Sequence, residues 1–133
     1  MLYLADTQIA IWFLLEDSKL SPVIYAELTD SKNTIFVSQV SLFEIAIKQK
    51  IGKLPELDKP INKLIELIEK ADFEILPIRN KHIVAYNSIQ LFDNHKDPFD
   101  RLIIATALSE NLTIISADEK FKFYLPHIQL IEA

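Results

Sequence analysis

The chain has 133 residues, 50% of them apolar and 25% charged, and a formal net charge of −5. That length predicts one domain, residues 1–133, able to bury a core without covalent staples. It has no cysteine, which excludes disulfides, thiolate metal sites and a thiol nucleophile and fits a cytoplasmic location; its single glycine, Gly52, cannot build a P-loop or a dinucleotide-binding turn.

Leu2 to Ala5 reads as a short buried strand, which Asp6 and Thr7 interrupt before the strongly apolar helix Gln8–Leu15. That apolar stretch is far short of the roughly 20 residues a membrane span needs, and no basic segment precedes it, so the sequence predicts neither a signal peptide nor a membrane helix. Ser21 and Pro22 restart a helix as N-cap and first position, running to about Thr29. Thr34 to Val37 is a β-branched and aromatic second strand. Ser38 to Lys50 is a helix with Leu42, Ile45 and Ala46 on one face. Within it, Ser41 and Glu44 have the spacing of a capping box, an ordinary structural use for that glutamate. Lys48, Lys50 and Lys53 form a basic cluster that faces either phosphate or, more commonly, solvent.

Pro60 to Lys70 is amphipathic, with Ile61, Leu64, Ile65 and Ile68 inward. Glu74 to Pro77 is a third strand, and Asn80 can cap a helix from Lys81 to about Ile89. Asp97 and Pro98 read as N-cap and first position of a helix opening on a second acid, Asp100. Ile103, Ile104, Ala107 and Leu108 give it an apolar face suited to a sheet, and Asn111 stops it. Leu112 to Ser116 is a fourth strand, ending near Asp118. Glu119 to Phe123 suits one or two helical turns, and Ile128 to Ile131 a last strand.

Strands alternating with helices predict a mostly parallel central sheet covered on both faces, a three-layer α/β/α architecture. Ligands of such sheets bind outside the carboxyl ends of the strands. Asp6, Glu44 and Asp118 follow the first, second and fourth strands and should meet along one rim, whereas Asp100, which follows a loop, is harder to place. Taken singly, each acid has an ordinary role as a cap or turn residue. Taken together, four close carboxylates must take up protons or bind cations. Hard oxygen donors, with neither cysteine nor spaced histidine pairs, fit Mg²⁺ or Mn²⁺ better than zinc, and such an ion supports phosphodiester hydrolysis by water. If these four acids are neutralised by cations, the remaining charge is close to balanced, and the objection to a nucleic-acid partner largely disappears. His82, His95 and His127 are widely spaced and read as surface or capping residues.

Asp6-Thr7 after the first strand, SLFEIAIK around Glu44, HKDPFDRLIIATA around Asp100 and TIISAD ending at Asp118 together resemble the PIN-domain ribonucleases, most closely the VapC-type toxins of bacterial toxin–antitoxin pairs. The likeness runs over nearly the whole chain, including Gly52 to Leu54. It implies a PIN-like fold and a metal-dependent endoribonuclease, with Asp6, Glu44, Asp100 and Asp118 holding Mg²⁺ or Mn²⁺. It further implies hydroxyl support from Thr7 and Ser116, a homodimer, and a cognate antitoxin laid over the catalytic rim. Arg101 is expected to neutralise the acids or meet RNA phosphate, Lys48 to do one or the other, and Asp97 to cap, with a water-mediated metal contact as its lesser alternative. Ala5 departs from the bulkier apolar residue of many relatives, which affects packing. Two rivals stand: a catalytically inactive antitoxin- or RNA-binding module of the same fold, and a Mg²⁺-binding phospho-receiver domain, which lacks here an acid pair after the first strand and a lysine after a late one.

Overall fold

The computed structural model describes all residues from Met1 to Ala133. Five strands, β1 (Leu2–Ala5), β2 (Thr34–Ser38), β3 (Glu74–Leu76), β4 (Thr113–Ser116) and β5 (Gln129–Glu132), form one sheet in the order β3-β2-β1-β4-β5. Every pairing is parallel, so the sheet is entirely rather than mostly parallel. The chain builds one way from β1 to β3 and then the other way through β4 and β5, which puts the topological switch point between β1 and β4. A phospho-receiver sheet has the order 2-1-3-4-5, so this topology overturns that rival.

Register explains the two cores. Leu4 pairs with both Phe36 and Ile114, and all three side chains point to one face, because successive strand residues alternate sides. There they meet Ile103, Ile104 and Ala107 of α6 (Pro98–Glu110). Tyr3, Ala5, Ile35, Val37 and Ile115 point to the opposite face, against Ile9 and Ala10 of α1 (Thr7–Leu15) and Ile24 and Leu28 of α2 (Pro22–Thr29). Burying strands on both faces is why they read as continuous apolar runs in the sequence. A third cluster joins Ile11, Ile45 of α3 (Gln39–Lys50) and Leu64 of α4 (Ile61–Lys70) to Leu54 and Leu57.

Several expected boundaries move for local reasons. α3 begins directly after Ser38, whose hydroxyl accepts from the Val40 amide, so Glu44 lies deep in the helix and the expected Ser41–Glu44 capping box does not form. α5 (Asn80–Tyr86) starts one residue early and ends three short; the Arg79 amide donates to His82 Nδ1 at 3.1 Å, a cap made by histidine rather than by Asn80. Leu108 does not join the sheet-facing side of α6 and stays 40% exposed. Asp97, Pro98 and Asn111 bound α6 as the sequence predicts: Asp97 accepts from Phe99 N at 2.8 Å, and Asn111 takes the left-handed conformation at φ 56°.

Candidate metal centre

The acids collect at the carboxyl ends of β1, β2 and β4, where the backbone leaves the sheet. Asp6 leaves β1 and caps α1, its Oδ1 accepting from Ile9 N at 2.9 Å. It is 3% exposed, and its second oxygen accepts from the hydroxyl of Ser116, the last residue of β4. Two residues on, Asp118 accepts from Lys120 N at 2.9 Å and caps the 3₁₀ helix Glu119–Tyr124, while its own amide donates to Ser116 Oγ at 3.0 Å. Ser116 thus ties Asp6 to Asp118 across the switch point. Asp97 and Pro98 begin α6 so that Asp100, in its first turn, reaches the same rim. Glu44 comes from the second turn of α3, 8% exposed, with Oε2 at 3.3 Å from Lys48 Nζ.

Electrostatics shows which acids have been brought together. Burial pushes the Asp6 carboxyl up to about 7; the Ser116 and Ile9 hydrogen bonds pull down, and the charges of Asp100 and Asp118 push up again. Burial also raises Asp100, to about 6, with His95 pulling down and Asp97 and Glu44 pushing up. Asp100 is therefore the hub, within electrostatic reach of Asp6 and Glu44. Ligand atoms of Asp100, Asp118 and His95 all lie within 4.8 Å of one another. One buried side-chain oxygen has no hydrogen-bond partner, Glu44 Oε1. An orphaned carboxylate oxygen of that kind is costly unless a cation meets it. The oxygen donors of Asp100 and Asp118, within the group they form with His95, suit a hard divalent ion, while Asp6 and Glu44 lie within electrostatic reach of Asp100 but outside that group.

The surrounding residues depart from expectation in three ways. Thr7 does not support an acid directly: at the start of α1 its hydroxyl faces α3 and donates to Ser41 Oγ at 2.9 Å. Arg101 neither neutralises the acids nor faces solvent. One step along α6 turns its side chain about 100° from Asp100. It is 2% exposed, its guanidinium donating to Ile89 O at 3.2 Å, Gln90 O at 2.9 Å, Tyr124 OH at 3.2 Å and Tyr86 OH at 3.3 Å. His95 is neither a surface nor a capping residue. Only 3% exposed, it places Nε2 3.1 Å from Asp100 Oδ2 and Nδ1 2.7 Å from Tyr124 OH. Its loop position follows no helical or strand period, and Tyr124 lies 29 residues away, so its environment leaves no local signature in the sequence. Lys48 pairs with Glu44 one turn along α3, and Asp97 caps α6 and faces solvent. A cavity of about 570 Å³ lies beside Ile89, Phe92, Leu108 and Leu125 and is lined by none of the four acids.

The chain belongs to the PIN domain family, whose model matches residues 3–124. Among solved structures it is similar to VapBC2 of Rickettsia felis bound to a DNA fragment from its promoter, at 21% identity and TM-score 0.68, covering 99% of this chain and 98% of that one. DNA-bound VapBC of Salmonella typhimurium aligns at 16% identity and TM-score 0.70, with the same coverage of 99% and 98%. VapBC-5 of Mycobacterium tuberculosis, a member of the VapBC family of toxin–antitoxin systems, aligns at 19% identity and TM-score 0.62, again covering 99% and 98%. No curated protein matches the sequence. No helix is long and apolar enough to cross a membrane.

Proposed function

We propose that this chain is a VapC-type toxin, a cytoplasmic endoribonuclease that uses Mg²⁺ or Mn²⁺ and a water molecule to hydrolyse RNA phosphodiester bonds, with residues 1–133 forming the nuclease domain. The observation that carries the reading is that acids from separate elements of a PIN-family chain, buried at Asp6 and Glu44, half-buried at Asp100 and exposed at Asp118, lie within electrostatic reach of Asp100 or Asp6, and that Glu44 Oε1 is buried without a partner. Asp6, Glu44, Asp100 and Asp118 hold the cation. When bound, it lowers the pKa of a water and offsets charge on the phosphoryl oxygens.

The chain's own groups do the rest. Ser116 keeps the Asp6 carboxylate oriented and holds its pKa down, favouring the charged form that a cation needs. Lys48, half-buried beside Glu44, offers a cation at the edge of the site for RNA phosphate. Likeness to VapBC complexes supports a cognate antitoxin as partner; a homodimer is the assembly that the family resemblance implies. The inactive-module alternative leaves the unpaired Glu44 oxygen and the strongly raised Asp6 without a purpose.

Purified protein is expected to cleave RNA with Mg²⁺ or Mn²⁺ and to stop in excess chelator, and Asp100→Asn to abolish cleavage while the fold remains. Cleavage that persists in excess chelator sinks the mechanism. Expression without the antitoxin is expected to arrest growth; harmless expression of an active enzyme would remove the toxin role.

A further inference from the structure

Behind Asp100 runs a buried chain of hydrogen bonds from Arg101 Nη1 to Tyr124 OH (3.2 Å), from Tyr124 OH to His95 Nδ1 (2.7 Å) and from His95 Nε2 to Asp100 Oδ2 (3.1 Å). Its polarity can be worked out from one end. A guanidinium only donates, so Tyr124 oxygen accepts from Arg101. Tyr124 is 4% exposed, and burial raises its phenol above the ordinary range, so the hydroxyl keeps a proton that must find an acceptor. Its one remaining partner is His95 Nδ1. Were the ring proton on Nδ1, the tyrosine proton would be orphaned. The ring proton therefore sits on Nε2 and points at Asp100.

We propose that His95 is a positioning residue for Asp100, locked by Tyr124 and Arg101 as the Nε2–H tautomer, and that it is not itself a metal ligand despite lying within ligating distance. This inference rests on the metal-dependent reading above. Donation from Nε2 engages Asp100 Oδ2 and leaves Oδ1 outside that bond, which restrains the carboxylate to one orientation instead of several. Direct ligation through Nε2 would need its proton moved to Nδ1, which the Tyr124 hydroxyl opposes. The ring cannot readily swing away, because it is packed edge-on against Tyr124 with centroids 5.5 Å apart and lies 5.9 Å from Phe121. Tyr124 rides on the 3₁₀ helix that Asp118 caps, so the device links two of the acids through one short element.

The test uses the intact protein and Mn²⁺ as probe. Long-range ¹H–¹⁵N spectra of the metal-free protein are expected to show His95 protonated at Nε2 alone; a proton on Nδ1 overturns the assignment. By calorimetry, His95→Phe is expected to weaken Mn²⁺ binding about 10- to 100-fold, the usual loss on removing a hydrogen-bond partner of a ligand. His95→Gln, whose amide nitrogen can donate to Asp100, is expected to recover most of that affinity. Unchanged affinity in folded His95→Phe, or a Gln variant as weak as Phe, overturns the positioning role. Electron spin echo spectra of Mn²⁺-loaded wild type are expected to lack a coordinated histidine nitrogen, and its presence would make His95 a ligand. If wild type binds Mn²⁺ and cleaves RNA while these results fail, only this inference falls. If wild type binds no Mn²⁺ at all, the nuclease reading falls and takes it along.

Discussion

Ser116 donates its hydroxyl to Asp6 across the β1–β4 boundary, although 110 residues separate the two. This bond opposes the burial that lifts Asp6 to about 7. Ser116→Ala removes the opposition, so the Asp6 proton is held more tightly and a cation must compete harder for the site. The pH midpoint of Mn²⁺ binding is expected to rise by roughly one unit, the value of one hydrogen bond to a charged group. Calorimetric affinities measured across the neutral range check this, and an unmoved midpoint contradicts it.

Asp6 also makes metal-free stability depend on pH in an unusual direction. Its carboxyl goes from an ordinary 3.8 to about 7 in the folded protein, and Asp100 from 3.8 to about 6. Between these values the folded chain keeps protons that the unfolded chain has released, so their stabilisation is fully present below 3.8 and is lost as pH rises through 6 and 7. The metal-free Tm is expected to fall over that interval, and added Mn²⁺ to restore it at the alkaline end. Asp6→Asn keeps an oxygen for the Ile9 amide while removing the titrating group. It is expected to flatten the curve and to gain about 1 to 3 kcal/mol over wild type in mildly alkaline, metal-free buffer. A variant less stable than wild type under those conditions contradicts the account.

Arg101 and Lys48, both candidates for meeting RNA, are expected to separate by salt dependence. Arg101 is buried and satisfies two backbone carbonyls and two tyrosines, so Arg101→Leu is expected to cost about 2 to 4 kcal/mol in urea unfolding and to leave the salt dependence of RNA binding unchanged. Lys48 is partly exposed but its partner Glu44 is buried, so Lys48→Ala leaves that carboxylate unpaired and is expected to cost about 1 to 3 kcal/mol in metal-free protein. It is expected to reduce the logarithmic salt slope of RNA binding by roughly 0.7 to 1. The reverse salt pattern would return Arg101 to the RNA surface.

What the sequence discloses follows from what is local. β-branched runs announce the central strands because burial on both faces demands them, and Asp97, Pro98 and Asn111 mark α6 through backbone preferences that hold within a few residues. The rim of acids is legible because parallel topology sends every strand end to the same side. Less local properties are hidden. The side of α6 on which Arg101 lies depends on α5 and the 3₁₀ helix, the partner of His95 is supplied by Tyr124, and Glu44 has the spacing of a cap until Ser38 takes that role. Asp100 could not be placed from topology because the loop before α6, and not a strand, delivers it to the rim.

The central claim, that folding makes one cation site from four distant acids, is most directly tested by anomalous diffraction at the manganese edge from crystals soaked in Mn²⁺. A peak is expected, bounded by carboxylate oxygens of Asp6, Glu44, Asp100 and Asp118, with Glu44 Oε1 turned toward it and the peak lost in Asp100→Asn. Manganese bound elsewhere, or an empty rim in crystals of protein that still cleaves RNA, would contradict it.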